Sequence, residues 1–129
     1  MVEKRRVLVV DDEPEIVKAL QVRLNQVGYE VIAAYDGKEA LDKAHKERID
    51  LIILDLILPK MDGFQTYKTL KADSATMNIP IIAYTAQDPE VVAKKGIDAF
   101  SIVEFVLKPF DTRALLLAVE KALHKYERG

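Results

Sequence analysis

Cysteine is absent from the 129 residues of this sequence. Its absence excludes disulfides, zinc sites with thiolate ligands and cysteine nucleophiles, and it is consistent with a reducing cytoplasm. Histidine is scarce: only His45 and His124 occur, far apart in the chain and each in a predicted helix. We therefore expect both to be surface histidines.

The sequence also lacks a strong charge of one sign and long apolar runs. The formal net charge is -2, so no overall basic field favours nucleic acid or an anionic membrane as a partner. No eighteen apolar residues run unbroken, so no segment is expected to span a bilayer, and residues 1–6 are too short for a signal peptide. We expect a soluble, cytoplasmic protein with one domain over residues 1–129.

Short apolar runs alternate along the chain with longer segments of helical period. The runs are rich in Val and Ile and apolar on both faces, as in parallel strands covered by helices. They occupy residues 7–10, 29–34, 51–54, 81–84 and 105–107. Because helical segments separate the strands, right-handed crossovers predict an α/β fold with a doubly wound, five-stranded parallel sheet flanked by five helices.

The helix boundaries are predicted from caps and periodicity. The first helix has Pro14 near its start and Gly28 just past its end, and the second opens at the Asp36–Gly37 turn. The third spans residues 63–71 and the fourth about 88–97. The last is capped by Asp111 or Thr112, and its predicted buried stripe is Leu116, Val119, Leu123 and Tyr126.

Polar residues interrupt or end the strands at the edge where such sheets bind ligands. Asp11 and Asp12 follow the first strand, and a lone Asp55 divides the apolar residues 51–58. The fourth strand ends at Thr85 and the fifth at Lys108. We expect these five side chains to converge on one edge of the sheet.

Three carboxylates in a partly buried crevice repel one another, and desolvation further disfavours their ionised forms. A hard cation relieves both effects, and Mg²⁺ typically takes one or two carboxylates together with water and phosphate oxygens. A hydroxyl and an ammonium group complete a crevice suited to phosphoryl transfer onto an aspartate.

Each of these residues also has a purely structural interpretation. Asp11 and Asp12 are suited to cap the first helix, and Thr85 and Lys108 are compatible with a capping threonine and a surface lysine. Asp55 differs, because an aspartate inside so apolar a run is unfavourable unless a partner compensates it. The functional interpretation rests on the combination and its order.

In that combination and order, the chain resembles the receiver domain of bacterial response regulators over essentially its whole length. The matching segments are 9–13 (Val-Val-Asp-Asp-Glu), 55–63 (Asp-Leu-Ile-Leu-Pro-Lys-Met-Asp-Gly), 81–86 (Ile-Ile-Ala-Tyr-Thr-Ala) and 108–110 (Lys-Pro-Phe). The resemblance implies a flavodoxin-like fold, similar to the chemotaxis regulators, with strand order 2-1-3-4-5. It also implies a two-component signalling domain rather than an ordinary enzyme, phosphorylated by a histidine kinase or a histidine phosphotransfer protein.

The resemblance assigns chemical roles to the site residues. Asp55 is expected to become the aspartyl phosphate. Asp12, Asp55 and the backbone carbonyl of Ile57 are expected to ligate Mg²⁺, with Asp11 acting mainly through a bound water. Thr85 and Lys108 are expected to contact phosphoryl oxygens.

The resemblance also implies a conformational switch. Phe105 occupies the family's switch-aromatic position and is expected to rotate into space that Thr85 vacates when it moves toward the phosphoryl group. The face formed by the fourth helix, the fifth strand and the last helix then changes, which is a population shift between two conformers. A downstream protein or effector domain is expected to bind this face, which would also be the face of a homodimer.

Two regions bear on the details of this switch. Many family members carry a Gly-Ala-Asp-Asp-Tyr-like stretch before the fifth strand, whereas residues 96–104 read Gly-Ile-Asp-Ala-Phe-Ser-Ile-Val-Glu. Either the fourth helix runs past Gly96, or it ends there and an extra apolar segment follows. Ile57 and Gln87 occupy positions that tune phosphate lifetime in the family. We hypothesise that Ile57 hinders the attacking water, and an unchanged half-life in Ile57→Asn would contradict this.

Three other classes of protein fit the sequence less well. A phosphatase resembling the haloacid dehalogenase family needs an aspartate two residues after its nucleophile, where this chain has Ile57 or, after Asp11, Glu13. A flavin protein needs a phosphate-binding loop after the first strand, where the acidic residues would repel the phosphate. A phosphorylation-independent docking module would be expected to lose site residues, and none is missing.

Overall fold

A computed structural model describes residues 4–56, 63–85, 104–107 and 112–125, although the side chains of residues 85, 104–107, 112 and 125 lie outside that description. One five-stranded parallel sheet runs through these residues in the order β2-β1-β3-β4-β5. Its strands are β1 (Arg6–Val10), β2 (Glu30–Ala34), β3 (Leu51–Leu54), β4 (Ile81–Thr85) and β5 (Glu104–Leu107). The predicted parallel sheet and its strand order are therefore confirmed.

Strand order reverses beside β1, because β2 lies on one side of it and β3 on the other. In a doubly wound sheet this reversal opens a crevice at the carboxyl ends of the strands. The residues that follow β1 and β3 lie at that position, so the fold places the chain after Val10 and after Leu54 at the expected ligand-binding edge.

Four helices fall within the described residues: α1 (Pro14–Gln26), α2 (Gly37–Lys46), α3 (Gly63–Ala72) and α4 (Thr112–Lys125). The helix predicted over residues 88–97 lies outside them. Proline in the first turn begins α1, and Gly28 follows its end with φ of +99°, a left-handed conformation that glycine adopts without strain. The Asp36 side chain caps α2 by accepting a hydrogen bond of 2.8 Å from the Glu39 amide.

Apolar residues cover both faces of the sheet, which explains the continuous Val and Ile runs. Leu8 and Val10 face the cluster beneath α2 and α3, whereas Val7 and Val9 face the cluster beneath α1 and α4. We call these the α2/α3 cluster and the α1/α4 cluster. Successive strand residues alternate between the two, so the face of each side chain follows from its position along the strand.

The predicted face of the last helix is partly wrong. Val119 and Leu123 are buried as expected, but Leu116 is only partly buried. The other buried positions in the described part of α4 are Leu115, Ala118 and Ala122. Thr112 is the first helical residue rather than the cap, and Asp111 and Tyr126 lie outside the described residues.

Both histidines lie at the surface, as predicted. His45 bonds to the carboxylate of Asp73, in the turn after α3, and thereby links α2 to that turn. Among the helices that the structure describes, none combines the length and the apolar character needed to cross a bilayer.

Candidate functional site

The sheet hydrogen bonding continues one residue beyond β1 and β3 and fixes two aspartates side by side. The Asp11 amide donates to the Ala34 carbonyl of β2 at 3.1 Å, and the Asp55 amide donates to the Val10 carbonyl of β1 at 3.0 Å. Both aspartate backbones are thereby held at the carboxyl edge, beside the strand-order reversal. The sequence reasoning that placed them there is confirmed for these two positions.

The carboxylates of Asp11, Asp12 and Asp55 form an acidic cluster. Asp11 is fully buried and Asp55 is 4% exposed, whereas Asp12 is exposed. One carboxylate oxygen of each lies within 4.8 Å of the others. Buried anions this close repel one another strongly, because the surrounding protein screens charge less than water does. The cluster therefore favours binding of a cation.

The alternative role of Asp11 as a helix cap does not match the geometry. Glu13 occupies the cap position of α1, and no side chain forms a capping hydrogen bond there. The Asp11 carboxylate instead accepts a hydrogen bond of 2.9 Å from the Glu13 amide, which holds the turn between β1 and α1. The Asp11 carboxylate therefore braces this turn and does not cap the first turn of α1.

The acidic cluster fits Mg²⁺ in donor type and spacing. Mg²⁺ prefers oxygen ligands about 2.1 Å away, so two ligands on opposite sides of the ion are about 4.2 Å apart. The maximum separation of 4.8 Å in the cluster is close to that value. Asp11, Asp12 and Asp55 could therefore contribute oxygens after small rotations of their side chains. The carbonyl of Ile57, the fourth predicted ligand, lies outside the described residues.

Gly63, the first residue of α3, packs directly on the backbone of Asp55 and Leu56. A Cβ atom built on Gly63 would lie 2.4 Å from the Asp55 carbonyl oxygen and 2.4 Å from Leu56 Cα. No side chain fits in that space. The sequence placed Gly63 at the start of the third predicted helix, but it gave no sign that the glycine lies against the candidate phosphoacceptor.

Tyr84 is a buried residue near the acidic cluster that the sequence reasoning treated only as part of an apolar strand. It is 1% exposed and belongs to the α1/α4 cluster. Burial raises the pKa of its phenol above the ordinary value, and the negative charges of Asp11, Asp55 and Glu13 raise it further. Tyr84 therefore keeps its proton at neutral pH and can act as a hydrogen-bond donor.

The other predicted site residues are only partly covered by the structure. Thr85 is the last residue of β4 and pairs with Leu107, the last residue of β5, so its backbone lies at the carboxyl edge. Phe105 lies in β5 opposite Ala83. Lys108 follows β5 directly in sequence but lies outside the described residues, as do Gln87 and the unusual segment 96–103.

Comparison with known proteins identifies one family. Residues 7–120 match the family described as the response regulator receiver domain. The alkaline phosphatase synthesis transcriptional regulatory protein PhoP of Bacillus subtilis is 41% identical over 123 residues, covering 95% of this chain and 50% of that protein. The chain spans about half the length of the curated transcriptional regulators it matches.

Solved structures of this type have the same overall fold. The chemotaxis response regulator CheY4 of Vibrio cholerae is 35% identical, with a TM-score of 0.84, and the match covers 94% of this chain and 100% of that one. The response regulator TrrA of Thermotoga maritima, solved in complex with Mg(2+)-BeF, is 33% identical with a TM-score of 0.80, covering 92% and 99%.

Proposed function

Because this chain belongs to the response regulator receiver domain family, we propose that it accepts a phosphoryl group on Asp55 and signals through the resulting change of conformation. The observation that carries the proposal is the acidic cluster, in which Asp55 lies beside Asp11 and Asp12 at the carboxyl edge of the sheet. The proposed receiver domain comprises residues 1–129.

Asp55 is the nucleophile in this proposal. One of its carboxylate oxygens forms a bond to phosphorus, while the bond from phosphorus to the donor breaks and the donor leaves with the electron pair. With a phosphohistidine donor the leaving group is an imidazole, and with a small acyl phosphate it is a carboxylate. The 4% exposure of Asp55 limits water around the reacting oxygen, which strengthens electrostatic interactions with it.

The neighbouring groups balance charge and orient the oxygens. Asp11, Asp12, Asp55 and the carbonyl of Ile57 are the proposed Mg²⁺ ligands, with Asp11 acting mainly through water. When bound, Mg²⁺ supplies positive charge that offsets the carboxylates and the transferring phosphoryl oxygens. The response regulator TrrA was solved in complex with Mg(2+)-BeF, which supports Mg²⁺ as the cation by analogy.

Thr85 and Lys108 complete the proposed site. The position of Thr85 at the end of β4, and of Lys108 directly after β5, supports their approach to the same edge as Asp55. In the proposal the Thr85 hydroxyl donates to one phosphoryl oxygen and the Lys108 ammonium pairs with another.

The proposed output is a change in the face formed by the fourth predicted helix (residues 88–97), β5 and α4. Thr85 moves toward the phosphoryl group, and Phe105 rotates into the vacated space. A histidine kinase or histidine phosphotransfer protein supplies the phosphoryl group, and a downstream protein or effector domain binds the altered face. We propose that the protein acts in the cytoplasm without direct contact with nucleic acid or membrane, and that this face also serves any homodimer.

Incubation with acetyl phosphate and Mg²⁺, followed by intact-mass measurement, tests the proposal. We expect one phosphoryl adduct that requires Mg²⁺ and is abolished by chelator and by Asp55→Ala. The matched control is Asp42→Ala, since Asp42 is an exposed aspartate on α2, and its adduct should equal that of the wild type. Absence of any adduct in the Mg²⁺-saturated wild type would contradict the proposal and favour a docking module that works without phosphorylation.

A further inference from the structure

Tyr84 lies in one row with Asp55 and Asp11 across three adjacent strands. The strand register pairs Val9 with Ile53 and Ile53 with Ile82. Two residues further along each strand, the same register brings Asp11, Asp55 and Tyr84 side by side. Neighbouring parallel strands are about 4.8 Å apart. The backbone of Tyr84 therefore lies about one strand spacing from the backbone of Asp55, the candidate phosphoacceptor.

These three side chains also share a face of the sheet. Val9, Ile53 and Ile82 all belong to the α1/α4 cluster, and a strand returns to the same face every second residue. Tyr84 itself belongs to that cluster. The alternation therefore directs the Asp11 and Asp55 side chains to the face on which the ring of Tyr84 is buried.

The polar end of Tyr84 experiences the charge of the acidic cluster. Burial raises the pKa of its phenol most, and the negative charges of Asp11, Asp55 and Glu13 raise that pKa further. A phenol is an amphipathic group, whose ring packs with apolar neighbours while its O–H needs a polar partner when buried. The acidic cluster supplies acceptors at the edge of an otherwise apolar environment.

We propose that Tyr84 is a positioning residue of the acidic cluster, whose O–H forms a hydrogen bond to the Asp11 or Asp55 carboxylate when a divalent cation binds and keeps that carboxylate in the cation-binding arrangement. The role rests on the proposed function, because the cation is the Mg²⁺ required there. Tyr84 acts through the carboxylates and contacts neither the cation nor the phosphoryl group. A donor of this kind orients the ligands and adds no positive charge.

Tyr84→Phe removes the hydroxyl and preserves the ring, so it separates positioning from packing. Outer partners of metal ligands commonly contribute about 10- to 100-fold to metal affinity. For a neutral donor we expect the lower end, an increase of about tenfold in the dissociation constant for Mg²⁺. The Mg²⁺-dependent rate of phosphorylation by acetyl phosphate at subsaturating Mg²⁺ should fall in parallel.

Tyr29→Phe is the matched control. Tyr29 packs against the same α1/α4 cluster, but it precedes β2 at the opposite, amino edge of the sheet, near Glu120 and Arg5. The two edges are about 15 Å apart for strands of four or five residues. Tyr29→Phe should therefore leave Mg²⁺ affinity unchanged, and any loss of stability common to both variants measures packing alone.

The experiment titrates MgCl₂ into each full-length variant and follows the backbone amide signals of Asp11 and Asp55 by NMR. Without any substitution, the ¹³Cζ signal of Tyr84 in the wild type should shift with Mg²⁺ while that of Tyr29 does not. This second measurement decides the matter even if Tyr84→Phe folds poorly. An unchanged dissociation constant in Tyr84→Phe, a static Tyr84 signal, or equal effects in both variants would overturn the positioning role.

Failure of this inference and failure of the proposed function give different results. A wild type that binds Mg²⁺ yet forms no phosphoryl adduct would refute the proposed function, while weaker Mg²⁺ binding in Tyr84→Phe would still support the positioning role. A wild type that is phosphorylated on Asp55 with Tyr84→Phe unaffected would refute the positioning role alone. A wild type that binds no Mg²⁺ would overturn both.

Discussion

Replacing Gly63 with alanine tests how closely the start of α3 must approach the candidate phosphoacceptor. The added Cβ would lie 2.4 Å from the Asp55 carbonyl oxygen, about 1 Å short of the 3.4 Å at which ordinary van der Waals contact begins. The opposing atoms belong to the backbone at the end of β3, so no flexible side chain can move aside. Either α3 or the Asp55–Leu56 peptide must be displaced.

The expected losses of stability and of phosphorylation rate follow from this shortfall in distance. Overpacking of a well-packed interior costs about 1–3 kcal/mol. For a domain of this size that corresponds to a fall in melting temperature of roughly 4–12 °C. A displacement of about 1 Å at a reacting group can lower its rate by about a hundredfold. We therefore expect Gly63→Ala to be less stable and to be phosphorylated far more slowly than the wild type.

Thermal unfolding followed by circular dichroism gives the first quantity, and the intact-mass time course with acetyl phosphate gives the second. Gly28→Ala is the control, because Gly28 has φ of +99° with nothing within 4 Å of an added Cβ. Its cost is backbone strain of about 1–2 kcal/mol at a turn remote from the acidic cluster. Wild-type stability and rate in Gly63→Ala, or an equal loss of rate in Gly28→Ala, would refute the reasoning.

Three further predictions concern the described surface and its turns. The hydrogen bond that the His45 ring donates to the Asp73 carboxylate holds the pKa of His45 above its ordinary value of 6.5. The contribution of this hydrogen bond to folding stability is therefore complete below pH 6.5 and is lost as pH rises through the raised pKa. We expect an NMR titration to show a lower His45 pKa in Asp73→Asn, and an unchanged pKa would contradict the pairing. Lys71 donates to two backbone carbonyls of the turn before β4, at 3.1 and 3.0 Å. We expect Lys71→Met to lower the free energy of unfolding by about 1–3 kcal/mol, measured by urea unfolding. An unaltered urea midpoint would contradict a stabilising role for these hydrogen bonds. Asp36→Ala removes the cap of α2, and we expect it to lower the free energy of unfolding by about 1 kcal/mol in the same assay. Asp36→Asn keeps a capping oxygen and should lower it less. Equal losses in the two variants would exclude capping as the cause.

The sheet and the acidic edge could be predicted because both leave local signals in the sequence. Strands buried on two faces read as continuous apolar runs, as in β3, and an aspartate directly after such a run is conspicuous. The bounds of α1 followed from Pro14 and Gly28, whose backbone preferences act within a residue or two. These features depend little on what packs against them.

The face of α4 could not be predicted as reliably, because its sequence offers two helical stripes. Three consecutive leucines, residues 115–117, allow more than one face with the spacing of a buried helix. Packing against the sheet selects Leu115, which is fully buried, and leaves Leu117 60% exposed. The choice depends on how the helix is rotated over the sheet, and that is a tertiary property.

The surroundings of Asp55 beyond its own strand required the structure. The contact with Gly63 joins residues eight positions apart through the start of a helix, and periodicity carries no information on such an approach. Tyr84 reads as one more apolar strand residue. Only the register between β3 and β4, together with the alternation of faces, places it beside the aspartate.

Locating the phosphoryl group within the chain is the most direct test of the central claim. The protein phosphorylated by acetyl phosphate with Mg²⁺ is reduced with borohydride, which converts an aspartyl phosphate to homoserine, and is then mapped by tandem mass spectrometry. The account predicts homoserine at position 55 and nowhere else, with none formed in the presence of chelator. Homoserine at position 11 or 12, or an unmodified residue 55 in protein that carries the adduct, would contradict it.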